Sequence, residues 1–451
     1  MLNDIFGIVD ISVGLAWLLI ILIVAYIKKS QYGDQPHYKF YMPNVWYKLT
    51  FAFIFTLIYV FYYGGGDTTA YWDGAVNLNK LFWDNPIHYV EELFTTPEMG
   101  LQFERFNLRT GYPPSWIYRE PESWFVSKLF SLFTFFTFNS YLATTFIISY
   151  IASLASWRLF ELVISFNFIP THIAAIFTLF IPTVNIWCNG ISKDTLILIS
   201  LLFVIYQFFG FFDQKRKVGL YGIAVLIVYS FILFHLRPFM IIAILPPLFM
   251  AFGTGIIRRN SDSVVLIATF RILIMIIGLF AIFLFFQTKD SLGSLNPEAY
   301  LEEAAIIQQD FAQNVHYTGK RYDLGITEVN SAEMIKAIPA AIIAAFYRPF
   351  IWESSSVFLV LSGVESVILL WLTFKFLFAG GGLFKNLNRI GKNEFLTFSI
   401  IFVLLFGFSV GFTSILFGVL VRFKAPILPF LAIVLYPKKP SKNLPQDDFG
   451  Q

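Results

Sequence analysis

Residues 47–74 read YKLTFAFIFTLIYVFYYGGGDTTAYWDG. The part from 47 to 63 is an apolar and aromatic run long enough to cross the hydrocarbon of a bilayer. It stops at Gly64, Gly65 and Gly66, and Asp67 and then Asp73 follow. This order decides the fold: a membrane-crossing helix ends, the chain turns on residues without side chains, and an acid stands where it leaves the bilayer.

The rest of the chain repeats the first half of that pattern. Its 451 residues are 57% hydrophobic and only 14% charged, with a mean hydropathy of +0.68. Soluble domains carry about 25% charged residues, so a water-facing surface is excluded. The apolar runs lack the alternation of a barrel strand, and the expected class is an all-α polytopic integral membrane protein. The runs fall at 5–27, 47–63, 140–163, 169–187, 195–212, 218–236, 238–256, 264–287, 355–378, 395–412 and 414–437, which predicts about eleven transmembrane helices. Trp124 to Phe138 contains Lys128 and reads as a helix at the interface. Cys188 is the only cysteine and the five histidines are dispersed, which gives no disulfide framework and no zinc spacing.

Basic residues in short loops mark the cytoplasmic side. Lys28 and Lys29, Lys215 to Lys217, Arg258 and Arg259, Lys385, Arg389 and Lys392, and Lys438, Lys439 and Lys442 share one side if the spans alternate. The N-terminus is then outside and the C-terminus cytoplasmic. The first run has no basic n-region and is not a cleavable signal peptide. The expected organisation is two helices in 1–63, an outer region in 64–139, six helices in 140–287, a second outer region in 288–354, three helices in 355–437 and a cytoplasmic tail in 438–451. Both outer regions carry helical stripes, AYWDGAVNLNKLFWDN and PEAYLEEAAIIQQDFAQNV, and are expected to lie on the membrane surface over a cavity. No internal repeat supports a transporter of inverted halves.

Five polar motifs fall on the outer side: GGGDTTAYWDG, NIWCNGISKDTL, FHLRPF, FYRPFIWE and VRFKAP. They bring Lys193, Arg237, Arg348, Arg422 and Lys424 toward the acids Asp67, Asp73 and Asp194. Ionisable groups near a membrane usually face a cavity and work there, and arginine forks suit phosphate oxygens. The chemistry fits the phosphate of a lipid carrier whose tail stays in the bilayer. Each motif also has a simpler reading: Arg-Pro is a snorkelling anchor with proline in the first turn, Ser192-Lys193-Asp194 is a helix cap, and Tyr71 and Trp72 are interfacial anchors.

These motifs together resemble the outer-face motifs of the GT-C superfamily of membrane glycosyltransferases and of bacterial envelope polysaccharide polymerases, particularly groups from Bacteroidota. The similarity is spread over residues 60–430. It implies a GT-C-like fold in the bacterial inner membrane, a polyprenyl-phosphate-linked sugar donor, and a glycan, lipid or protein acceptor; no nucleic-acid partner is expected. It makes Asp67 the general base and Arg348, Arg422 and Lys424 the donor-phosphate ligands; the motifs themselves add Asp73 as a second catalytic candidate and Lys193 and Arg237 to the phosphate pocket. Tyr71, Trp72 and Asp194 are then sugar or acceptor contacts. Some GT-C enzymes hold a divalent cation, magnesium or manganese. Here the acids stand as D-x-x-x-x-x-D in place of D-x-D, which argues against a metal. The competing readings are a flippase or transporter of lipid-linked glycan, which needs charges near the bilayer midplane, and a noncatalytic subunit of an envelope complex.

Overall fold

The computed structural model describes residues 5–211, 218–260, 319–324, 331–379 and 381–436, with isolated positions between 266 and 306. Beyond one isolated bridge between Arg321 and Leu416, the described residues form only helices and their connections. Among the described residues eight helices are long and apolar enough to cross a membrane, as in a multi-pass membrane protein. The expected run 264–287, the stripe after Pro297, Lys215 to Lys217 and the tail 438–451 lie outside the described residues.

The first two spans are α1 (Ile8–Gln31) and α2 (Tyr41–Leu57). A 3₁₀ turn at Pro36–Phe40 leads into α2 and a π turn at Ile58–Tyr62 extends it, so the second span runs from Pro36 to Tyr62. Five helices follow before the third span: α3 (Asp67–Asp84), α4 (Pro86–Phe94), α5 (Met99–Arg105), α6 (Ser115–Arg119) and α7 (Pro121–Thr137). Then come α8 (Tyr141–Ser165), α9 (Thr171–Leu179), α10 (Pro182–Trp187), α11 (Lys193–Gly210), α12 (Leu220–Leu236) and α13 (Pro238–Asn260). The C-terminal part holds α14 (Ser331–Tyr347), α15 (Val357–Phe378), α16 (Gly382–Gly391), α17 (Glu394–Thr413), α18 (Phe417–Lys424) and α19 (Leu428–Leu435).

Eight of the eleven expected runs match these helices, 264–287 lies outside the described residues, and the other two differ for local reasons. The run 169–187 is cut at Phe180–Ile181, where Pro182 cannot donate to a continuing helix and opens α10 instead. The run 218–236 yields α12, an apolar helix of 17 residues at the lower limit of spanning length. The expected second outer region, 288–354, contains α14, which packs along α17. That contact depends on small residues: a Cβ on Gly411 would stand 1.9 Å from the Ala341 carbonyl, and one on Gly407 would stand 2.6 Å from the Phe346 ring.

Two compact units are distinguished, residues 1–159, 178–207 and 219–239 in the first, and 160–177, 208–218 and 240–451 in the second. In the first unit, the 64–139 region has a core of its own. The face of α3 carrying Tyr71, Ala75 and Leu78 is buried, and Gly74 lets α7 approach so closely that a Cβ would meet Trp124 at 2.9 Å. Fully buried Glu92 on α4 accepts from Arg105 at 2.6 Å and from the Trp124 indole at 2.7 Å. Buried Lys128, one turn beyond Trp124, donates to the Thr95 carbonyl at 2.7 Å.

Burial pulls the Lys128 ammonium down to about 8, although the Glu92 charge opposes this. The folded protein therefore releases this proton before the unfolded chain does, near 10.4. Between about 8 and 10 the unfolded state holds more protons, so stability rises with pH through that window and the charge penalty is fully present below it. In detergent, the melting temperature of wild type relative to Lys128→Met is expected to climb from pH 8 to 9.5. A constant difference across that range refutes the assignment.

Candidate functional site

In the first unit the chain unwinds between α10 and α11, from Cys188 to Ser192, and every residue of the break is buried. Unwound backbone beside membrane-crossing helices must find partners inside the protein, because lipid supplies none. Lys48 of α2 donates from Nζ to the Cys188 carbonyl at 2.7 Å. In return Asn189 donates from Nδ2 to the Lys48 carbonyl at 3.0 Å and to the Asn185 carbonyl at 2.8 Å. Ser149 of α8 accepts from the Gly190 amide at 3.2 Å, and the Ser192 hydroxyl accepts from the Thr195 amide at 3.1 Å to cap α11. Gly190 has φ +59, and a Cβ there would meet the Phe55 ring at 2.7 Å.

The charges next to the break are matched locally. Arg237, between α12 and α13, donates from Nη2 to Asp194 Oδ1 at 2.9 Å, with both side chains at most 5% exposed. Lys193, at the start of α11, pairs with Glu122 of α7. Of the predicted site residues, Asp194 is thus held by Arg237 in the interior. Tyr71 and Trp72 are buried at 4% and 6% exposure, and Trp72 sets its edge against Tyr141 at 5.8 Å. Their rings serve the packing of α3 and have no open face for a sugar.

Asp67 is the first residue of α3, where the helix dipole favours an acid. Gly64, Gly65 and Gly66 all take positive φ, 66, 123 and 130, to turn the chain from the second span into α3. Thr69 closes the helix start by donating to the Gly66 carbonyl at 2.9 Å, and the neighbouring Thr68 hydroxyl meets the Tyr141 hydroxyl at 2.7 Å. Asp73 lies further along α3, half-buried, and burial pushes its carboxyl above the usual range against the pull of Lys80. Helical geometry separates the two acids by about 9 Å along the axis and about 120° around it. They do not converge on one ion, and among the described residues no group of three or more His, Cys, Asp or Glu could hold a metal.

The remaining predicted residues belong to the second unit. Arg348 follows α14, and its guanidinium reaches Glu353 Oε1 at 2.5 and 3.1 Å. It also lies over the rings of Tyr322 and Phe417, 5.3 and 5.6 Å from their centroids. Buried Lys424 donates to the Arg348 carbonyl at 2.6 Å and feels the charge of Glu365 on α15. Arg422 is half-buried on α18, two residues before Lys424 and so nearly opposite it around the helix.

Lys48 was not among the predicted site residues. Beginning the second span at residue 47 leaves it at the membrane edge, whereas the observed span begins at Pro36 and buries Lys48 twelve residues in. Pro36 in the first turn was the available signal. A scan against protein-family models, a search among curated proteins and a search among solved structures find no match to the chain.

The break makes its own prediction. Gly190→Ala must hold a left-handed backbone, at about 1–3 kcal/mol, and displace the Phe55 ring, at about another 1–3 kcal/mol. A melting temperature lower by several degrees is expected in detergent. Gly219→Ala, with nothing within 4 Å of the new methyl, should melt like wild type; equal behaviour of the two variants would refute the role of Gly190.

Proposed function

We propose that this chain is a membrane glycosyltransferase that takes a sugar or oligosaccharide from a polyprenyl-phosphate carrier at the outer face of a bacterial inner membrane. The observation that carries this reading is the position of Asp67. It opens α3 directly after the three-glycine exit from the second span, close to where the reactive head group of a membrane-held donor would lie. The resemblance of the outer motifs to GT-C enzymes adds to it.

In the reaction the acceptor hydroxyl loses its proton to the Asp67 carboxylate, and its oxygen attacks the anomeric carbon. The bond from that carbon to the carrier phosphate breaks, and the phosphate leaves with the electron pair. A positioned base typically contributes 10²–10⁴-fold. Asp73, whose carboxyl burial holds above the usual range, would orient the acceptor or take over the base role. Of the expected donor-phosphate residues, Arg422 and Lys424 belong to the second unit, where Lys424 donates to the Arg348 carbonyl. Lys193, Arg237 and Arg348 would first have to leave Glu122, Asp194 and Glu353.

Purified protein supplied with a lipid-linked donor should transfer glycan, and Asp67→Asn should lose at least a hundredfold in rate while eluting and melting as wild type does. Full activity in that variant removes Asp67 as base. Asp73→Asn should retain part of the activity.

A second reading, a flippase of lipid-linked glycan, is favoured by one observation: Lys48 and Lys424 are buried within candidate spans, and Glu365 lies on another. Such charges often mark translocation paths. In proteoliposomes, movement of a fluorescent polyprenyl-linked glycan across the bilayer by wild type, undiminished in Asp67→Asn, would replace the transferase by the flippase.

A further inference from the structure

An open cleft of about 430 Å³ lies at the far end of α3, away from Asp67, lined by Asn79, Lys80, Trp83, Asp84, Arg109 and Asn139. Its walls are built by a well-bonded loop. Asn107 donates to Asp84 Oδ2 at 2.8 Å, and its side-chain oxygen accepts from the amides of Arg109 at 2.8 Å and Thr110 at 3.1 Å. Gly111, at φ +73, brings this loop against buried Asn77 of α3. On the other side Phe138 and Asn139 both take left-handed backbone, φ 51 and 57, and Asn139 donates to Asn79 at 3.4 Å. The Asn139 side-chain oxygen is shielded from solvent and has no hydrogen-bond partner. Lys80 and Arg109 outweigh Asp84, so the cleft is cationic.

Its rim is apolar. Trp83 is 75% exposed, Leu108 beside Arg109 is 93% exposed and Phe138 beside Asn139 is 74% exposed. The helix that follows is amphipathic: Tyr89 and Glu92 of α4 face inward, while Ile87, Val90 and Phe94 are exposed at helical spacing on the opposite face. A patch of large exposed apolar side chains needs a cover. In a chain with eight candidate spans among its described residues the cover at hand is the bilayer, on which an amphipathic helix lies with its apolar face in the acyl boundary and tryptophan sits at head-group level.

We propose that this cleft is a binding site for the phosphate head group of an anionic membrane lipid. The phosphate oxygens take Lys80 and Arg109, and the lipid chain runs along Trp83 and the exposed face of α4. A basic pocket of this kind at a membrane surface selects charge, and the bidentate arginine fork selects phosphate. The site stands on its own geometry and holds whether or not the chain transfers sugar.

The test uses the full-length protein in a nonionic detergent. Binding is read as the rise in melting temperature on titration with phosphatidylglycerol, with polyprenyl phosphate, with phosphatidylcholine of matched chain length and with inorganic phosphate. Wild type is expected to respond to one or both anionic lipids at least ten times more strongly than to phosphatidylcholine, and not to inorganic phosphate at the same concentration. The relative response to the first two shows whether the bulk lipid or the carrier is the occupant. The double variant Lys80→Gln/Arg109→Gln should elute and melt as wild type without lipid and lose the anionic response at least tenfold, while Lys80→Arg/Arg109→Lys should keep most of it. An undiminished response in the Gln variant, an equal response to phosphatidylcholine, or an equal response to inorganic phosphate overturns the proposal. If the Gln variant does not fold, loss of the wild-type response in high salt, as expected for a charge-held head group, decides in its place.

Discussion

The first unit depends on a reciprocal latch between α2 and the broken helix, in which the Lys48 side chain holds the Cys188 carbonyl and the Asn189 side chain holds the Lys48 carbonyl. Neither half is optional in a place without water. An unwound carbonyl in hydrocarbon costs several kcal/mol when unsatisfied, and a lysine ammonium buried without an acceptor costs more. Each group removes the other's penalty. The break then fixes where α11 starts, and with it the positions from which Lys193 reaches Glu122 and Asp194 reaches Arg237.

Sequence made some of this legible and hid the rest for identifiable reasons. The three-glycine exit was readable because positive φ at Gly64, Gly65 and Gly66 is a conformation other residues avoid, and α3 starts at the acid that follows. The stripe in AYWDGAVNLNKLFWDN also has helical spacing, but that same spacing carries Tyr71, Ala75 and Leu78 into the core. Periodicity identifies a face without saying whether protein or ligand covers it, so Tyr71 and Trp72 read as platforms for sugars whereas Trp83, near the helix end, is the exposed ring. Hydropathy averaged over 169–187 hides a single proline that breaks the run. For Lys48, polar neighbours at the start of the second span blurred the helix boundary and left a central residue looking peripheral.

Pairing is the least local property and was the least legible. Arg348 and Glu353 are close in sequence, and their partnership could be read from RPFIWE. Glu122 and Lys193 are 71 residues apart, and Asp194 and Arg237 are 43 apart. Nothing in composition or spacing joins them. A sequence rich in basic outer motifs therefore suggested a cationic pocket, while in the fold three of those cations have acids of their own.

This bears on where an anion can be received. A phosphate entering at Arg237 would meet Asp194 in a site with both side chains at most 5% exposed. Displacing that carboxylate would leave a buried negative charge without its partner, and breaking such a pair costs about 3–5 kcal/mol. At Lys80 and Arg109 no such exchange is needed, because the cleft is open and its one acid, Asp84, is already engaged by Asn107. The paired interior is suited to holding a helix break in register, and the open cationic cleft with its apolar rim is suited to first contact with an amphiphile. A lipid-linked substrate received at Lys80 would still have to reach Asp67 toward the opposite end of α3, about 20 Å away along the helix axis. Because the anomeric carbon that reacts is bonded to the carrier phosphate, a donor held at the cleft is out of reach of Asp67, and the cleft and the acid can act on one donor only in succession.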